Sequence, residues 1–203
     1  GARVVFVGEN FRFGHFGAGT PVDLERYGAT HGFEVRSVGL VEDSGETISS
    51  TRIRELLRAG HVTEAARLLG RPHRIEGVVS RGFGRGRGLE APTANLTATR
   101  QAAVPRLGVY ATRAIVDRQA EYSAVTSVGT NPTFGSDRRV HIETLLFDFD
   151  GDLYEHHLAV EFLERIRGQK TFADAASLAA QIRSDVETAL RLHASRGLSE
   201  ERA

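Results

Sequence analysis

The chain changes rhythm near residue 71, and that change limits what it can fold into more than any other feature. From Arg74 to Ile166 it breaks into short runs, RIEGVVS, VYATRAIV, YSAVTSVG, RVHIETLLFDF and LAVEFLERI, rich in β-branched and aromatic residues and separated by turn formers. Runs of this kind are expected to pair as an antiparallel barrel or sandwich. The period then becomes helical: Ala175, Leu178, Ala179, Ile182, Val186 and Ala189 fall on one face, and Thr171 and Asp174 are placed like a capping box. One long helix is expected to pack on the barrel.

Ahead of residue 71 the pattern is that of an α/β unit. An apolar run (VVFV), a glycine-rich loop (GENFRFGHFGAG), a helical stretch from Val22 to His31 and a second strand-like run (FEVRSVGLV) follow one another, as in half of a parallel sheet. TRIRELLRA, residues 51–59, reads as a helix ended by Gly60, and TEAARLL from Thr63 reads as another, closed by Gly70 with Pro72 just beyond. The fold expected is therefore α+β, with an α/β segment over residues 1–70, a barrel and its helix over 71–195 and a tail over 196–203.

Composition excludes several functions. Lys+Arg and Asp+Glu are 26 each, so no global field is available to hold nucleic acid or an anionic membrane. Without cysteine there is no disulfide framework, thiolate metal site or cysteine nucleophile, which fits a reducing compartment, and the cytoplasm is the expected location. No apolar run reaches the roughly 18 to 20 residues of a membrane span. The chain starts at Gly1, has no methionine and opens in mid-strand with VVFVG, so it is expected to be the back part of something longer.

Three stretches carry candidate chemistry. From Gly82 to Gly88 glycines alternate with Arg85 and Arg87, so backbone N–H groups and guanidinium forks can both approach an anion; a hairpin tip with solvated arginines is the plainer alternative. In PTAN, Pro92 fixes the backbone ahead of Thr93 and Asn95, whose hydroxyl and amide oxygens are hard ligands of the type Mg²⁺ accepts beside water and phosphate. If the stretch is extended both side chains share a face; a turn with local hydrogen bonds is the alternative. In RVHIETLLFDF, Val140, Ile142, Thr144 and Leu146 share one face and leave Glu143 opposite, between His141 and Leu145, as a general base or a solvated strand residue. The nearby DFDGD lacks the glycine spacing of an EF-hand loop, and Asp150-Gly151 is expected to form a hairpin turn.

Taken in order, RIEGVVSRGFGRGRGLEAPTANL, LGVYAT, SVGTNPTF, IETLLFDFDGDLY and FLERIRGQKTFADAASLAAQI resemble the riboflavin kinase domain of bacterial bifunctional riboflavin kinase/FAD synthetases, over residues 71–192. VVFVGENFRFG, GFEV and ISSTRIRELLRAGHVTEAARLLGRP look like the second half of the adenylyltransferase domain of the same enzymes. The resemblance implies a Greek-key barrel with a C-terminal helix, preceded by part of a nucleotidyltransferase domain. It implies that Thr93 and Asn95 help hold Mg²⁺ and the ATP phosphates, and that Glu143 deprotonates the ribityl 5′-hydroxyl of riboflavin. Gly82, Arg85, Gly86 and Arg87 would cover the nucleotide and Tyr154 would lie near it. Arg167 and Phe172 would border the flavin, a salt bridge and a core aromatic being the alternatives.

The chain also departs from the family pattern. LEAPTAN stands where the family has LGFPTAN, so Glu90 and Ala91 replace a glycine and an aromatic, and Glu155 follows DLY where a glycine is usual. The adenylyltransferase's HxGH motif is absent, and His15 and His31 do not supply it. Ser49, Ser50, Thr51 and Arg54 of ISSTRIR could still offer groups to phosphate, with a helix cap at Ser50 or Thr51 as the plainer role. The expected product is FMN without FAD, from riboflavin and Mg-ATP. A flavin- or nucleotide-binding module without catalysis is the alternative, and no nucleic acid or membrane partner is expected.

Overall fold

The computed structural model describes residues 1–80, 93–97, 102–130 and 140–197. Two compact units result, Gly1–Ser50 and Thr51–Ala203. In the first, strand β1 (Val4–Gly8) lies parallel to β2 (Glu34–Val38), and helix α1 (Pro21–His31) connects them. The start of α1 is set locally, because the Thr20 hydroxyl accepts from the Asp23 amide, the Asp23 carboxylate accepts from the Thr20 amide, and Pro21 stands in the first turn. Gly32, at φ 77, ends it in the left-handed conformation that glycine adopts without strain. A short hairpin of β3 (Glu42–Asp43) and β4 (Glu46–Thr47) completes this unit.

Helix α2 (Ser50–Ala59) starts at the boundary and, from Thr51 on, opens the second unit with α3 (Val62–Leu69); the two helices end at Gly60 and Gly70, both at positive φ. Its sheet has six antiparallel strands: β5 (His73–Val78), β6 (Thr93–Thr97), β7 (Gly108–Val116), β8 (Ala120–Thr130), β9 (Val140–Leu146) and β10 (His157–Gly168), in the order β5-β10-β7-β8-β9-β6. Strands β7, β8 and β9 form a meander, and β6, which precedes it in the chain, lies beside its last strand; this is Greek-key order. The two edges meet where the Ser80 amide donates to the Asn95 carbonyl at 3.0 Å, so the sheet curls toward closure.

Alternation along the strands separates two faces. The inner face carries Tyr110, Val128, Ile142, Leu146, Leu158 and Phe162, and Leu57, Val62 and Ala65 of α2 and α3 pack into the same apolar cluster. The two helices therefore fall in the same compact unit as the barrel, while the sequence expectation groups them with the α/β segment. Three fully buried threonines cross this core and satisfy one another: Thr112 Oγ1 lies 2.7 Å from Thr126 Oγ1, which lies 3.0 Å from Thr144 Oγ1. The outer face is covered by helix α4 (Ala175–Ser195) through a second cluster of Val109, Ala111, Val125 and Ala189.

Two local expectations are corrected. The N-cap of α4 is Asp174, whose carboxylate accepts from the Ser177 amide at 2.7 Å; Thr171 takes no part in the cap, because the helix starts one residue after Asp174. Asp150-Gly151 is not a hairpin turn, because β9 and β10 are not neighbours and this segment crosses between them.

His193 fixes the end of α4. It is 2% exposed, its Nε2 lies 3.1 Å from the Ala124 carbonyl oxygen, its Nδ1 has no partner among the described residues, and its ring stands edge-on to Phe147. Burial holds its pKa below the ordinary value, with the Ala124 contact opposing and Arg196 adding to the shift. The unfolded chain therefore takes up this proton first. Stability is unaffected above the ordinary value of about 6.5 and falls as pH drops from there toward the lower folded-state value. The melting temperature is expected to decline below about pH 6.5, and His193→Gln is expected to flatten that decline; equal slopes for the two proteins would assign the acid sensitivity elsewhere.

Candidate active site

Strand register assembles the site. Asn95 on β6 pairs with Glu143 on β9, Glu143 with Ser127 on β8, Ser127 with Val109 on β7, and Val109 with Arg167 on β10. These five residues form one row across the outer face, since their neighbours Ala94, Ile142, Thr144 and Val128 are buried in the barrel core. Two register shifts in β10, between Phe162 and Glu164 and between Arg165 and Arg167, bring Arg167 opposite Val109. With strands about 4.8 Å apart, the row from Glu143 to Arg167 covers roughly 14 Å along the curved sheet.

A cavity of about 310 Å³ lies over this row. The sheet contributes Thr93, Val109, Val125, Ser127, Glu143 and Leu145, helix α4 contributes Leu178, Ile182 and Asp185, and the segment between β10 and α4 contributes Gln169, Lys170 and Phe172. Four of the expected site residues thus line one cavity: Thr93, Glu143, Arg167 and Phe172. Asn95 sits beside Glu143 in the register without lining the cavity itself.

Charges in the cavity are unevenly compensated. The Arg167 guanidinium grips Asp185 with two bonds, Nε to Oδ1 at 2.8 Å and a terminal nitrogen to Oδ2 at 2.6 Å, and Gln181 also donates to Asp185. The guanidinium carbon lies 5.9 Å from the Phe172 ring centroid. Arg167 is thus both salt-bridged and cavity-lining, and Phe172 is at the cavity wall and outside both apolar clusters. Glu143 differs, having no hydrogen-bond or ion-pair partner among the described residues. Lys170 donates to the neutral Gln181 at 3.0 Å. Thr93 and Asn95 offer a hydroxyl and an amide oxygen, and no group of three or more His, Cys, Asp or Glu that could hold a metal occurs among the described residues. That donor set does not make an all-protein metal cage; it fits Mg²⁺, which keeps waters and takes substrate phosphate oxygens.

Several expectations fall elsewhere. Gly82, Arg85, Gly86, Arg87, Glu90 and Ala91 lie outside the described residues. Tyr154 is 43% exposed and outside the cavity lining; the amide of its neighbour Glu155 donates to Val79, just ahead of residue 81. Glu155 has φ 66, so it occupies a conformation that favours the glycine usual in the resembled pattern. Ser50, Thr51 and Arg54 lie in the first turns of α2 and Ser49 immediately precedes it.

Asp185, Ser127, Gln169 and Lys170 were not anticipated from sequence. Asp185 had a readable signal: it occupies the helical spacing of Leu178, Ile182 and Ala189, where an apolar residue is expected, and a carboxylate there needs a buried cation. Ser127 had none, because a serine in a strand is ordinary.

Comparison with known proteins gives consistent matches. Residues 69–193 match the riboflavin kinase family and residues 1–52 match FAD synthetase. A bifunctional riboflavin kinase/FMN adenylyltransferase from Pseudomonas fluorescens is 38% identical over 194 residues, covering 96% of this chain and 62% of the relative. The protein of the same description from Escherichia coli strain K12 is 36% identical, covering 92% of this chain and 60% of the relative. A solved structure described as a macrolide-efflux protein from Streptococcus pneumoniae superposes with TM-score 0.75 at 36% identity, over 93% of this chain and 60% of that one. No helix among the described residues is long and apolar enough to cross a membrane. The chain spans about three fifths of the length of the curated relatives it matches.

Proposed function

The chain belongs to the riboflavin kinase family, and from that premise we propose that its outer-face cavity binds riboflavin and passes the γ-phosphoryl group of ATP to the ribityl 5′-hydroxyl, giving FMN. The observation that carries this reading is the row Asn95, Glu143, Ser127, Val109, Arg167 beneath the cavity. It runs from hard oxygen ligands, through an uncompensated carboxylate, to an apolar slot closed by a guanidinium and an aromatic ring. A molecule with a phosphorylatable polyol at one end and a planar ring at the other matches that sequence of groups.

In this reading the flavin ring lies between the sheet residues Val109, Val125 and Leu145 and the helix residues Leu178 and Ile182, bordered by Arg167 and Phe172. Glu143 accepts the 5′-hydroxyl proton as that oxygen attacks the γ-phosphorus, and the bond to ADP breaks in line with the attack. Thr93 and Asn95 would hold Mg²⁺ with the phosphate oxygens, where it neutralises charge developing on the transferred group. Gly82, Arg85, Gly86 and Arg87 would cover the nucleotide, with Tyr154 near it. The domain assignment is proposed as residues 71–195 for the kinase and 1–70 for part of an FMN adenylyltransferase domain, with Ser49, Ser50, Thr51 and Arg54 toward phosphate there. FAD synthesis is proposed for a chain of the relatives' full length, in the cytoplasm.

Incubation of the chain with riboflavin and Mg-ATP, followed by chromatographic separation of riboflavin, FMN and FAD, tests this reading. FMN is the expected product. Tight riboflavin binding without FMN would support the non-catalytic module instead, and FAD formation would show that the residues present suffice for adenylylation without HxGH histidines.

Thr93→Ala and Asn95→Ala are expected to weaken Mg-ATP use, each by about tenfold or more, because each removes a hard oxygen on β6 at the proposed phosphate end of the site. The apparent KM for Mg-ATP and the magnesium dependence of the rate are the measurements. Riboflavin affinity is expected to be nearly unchanged, and unchanged magnesium and ATP dependence would remove both residues from that role.

A further inference from the structure

We infer that Ser127 is a specificity-determining residue that recognises the polyol chain of the flavin, so that this cavity selects flavins carrying hydroxyls beyond the ring. The inference rests on the proposed riboflavin site and adds a residue to it. Ser127 stands in the row directly between Glu143 and Val109, on the cavity wall and half-buried. Its hydroxyl has no hydrogen-bond partner among the described residues. Its neighbours on the same face of β8 are Val125 and Gly129, which offer no side-chain polar atom, and the polar side chains beside it in the lining are Glu143, directly opposite, and Gln169, which packs over Gly129; neither bonds the Ser127 hydroxyl. A hydroxyl left in such surroundings loses water on ligand binding and must be repaid by a ligand donor or acceptor.

Position selects the ligand group. Ser127 lies one strand, about 4.8 Å, from Glu143 and one strand from Val109 in the apolar slot. When the terminal hydroxyl of the polyol meets Glu143, the ring end lies over Val109 and the intervening hydroxyls pass Ser127. Unlike a charged group, a serine hydroxyl both donates and accepts, so it can pair with an alcohol without competing with Glu143 for the proton that is transferred.

The experiment compares riboflavin with lumiflavin, which has the same ring system but a methyl group in place of the ribityl chain. Equilibrium dissociation constants for both are measured by flavin fluorescence on the full chain, for the native protein, Ser127→Ala and Ser127→Thr. Ser127→Ala is expected to weaken riboflavin binding about 3- to 10-fold while lumiflavin binding stays the same, and Ser127→Thr, which keeps a hydroxyl, is expected to restore most of the difference. Equal weakening for both flavins would show a packing role and overturn the inference, as would no change for either. Failure of the native chain to bind riboflavin would overturn the flavin site itself, an outcome distinct from binding that ignores the substitution.

Discussion

Glu143→Gln is expected to lower FMN formation by about 10² to 10⁴-fold while riboflavin affinity and melting temperature change little. The amide keeps the shape of the carboxylate and can still hydrogen-bond a hydroxyl, but it cannot accept the proton. The structural setting supports a selective effect. Glu143 faces the cavity, while its chain neighbours Ile142 and Thr144 are fully buried on the other side of the sheet and hold the strand. No described residue pairs with the carboxylate, so the substitution breaks no ion pair that would unfold the barrel. A structural glutamate would give the reverse pattern, a lower melting temperature with turnover per folded molecule retained.

Asp185→Ala is expected to cost about 3 to 5 kcal/mol of stability, because it leaves the Arg167 guanidinium buried without its carboxylate. For a chain of this size that lowers the melting temperature by roughly 6 to 20 °C. The side chains are 16% and 5% exposed, so solvent cannot replace the lost partner well. Replacing both residues, as Arg167→Met with Asp185→Leu, is expected to recover most of the loss, since an apolar pair of similar volume avoids desolvating two charges. The double variant also separates packing from recognition: it is expected to fold yet bind riboflavin more weakly than the native chain, because the guanidinium bordering the slot is gone. A single Asp185→Ala variant melting at the native temperature would show that the pair contributes nothing to holding α4 on the sheet.

Much of this architecture was legible in the sequence because it is written in period. The alternation in RVHIETLL placed Glu143 opposite Ile142 and Thr144, and the structure has that arrangement. The helical spacing from Ala175 to Ala189 gave α4. What period cannot show is which strands become neighbours. Asn95, Ser127 and Arg167 are far from Glu143 in the chain, and only the Greek-key order puts them in one row with it. The hairpin expected at Asp150-Gly151 failed for the same reason, since a turn-forming dipeptide does not reveal that the chain leaves β9 for the far side of β7. The grouping of α2 and α3 follows from Leu57, Val62 and Ala65, whose apolar stripe carries no record of which sheet it will cover.

We propose that the Glu143 carboxylate, second in the row, drives phosphoryl transfer to riboflavin. The most direct test of this proposal is a single turnover, with the chain in excess over riboflavin and Mg-ATP saturating, quenched and resolved for FMN in the native protein and in Glu143→Gln. The account predicts FMN from the native chain and a rate at least about 10²-fold lower in the variant at equal flavin occupancy. FMN formation at the native rate by Glu143→Gln would contradict it.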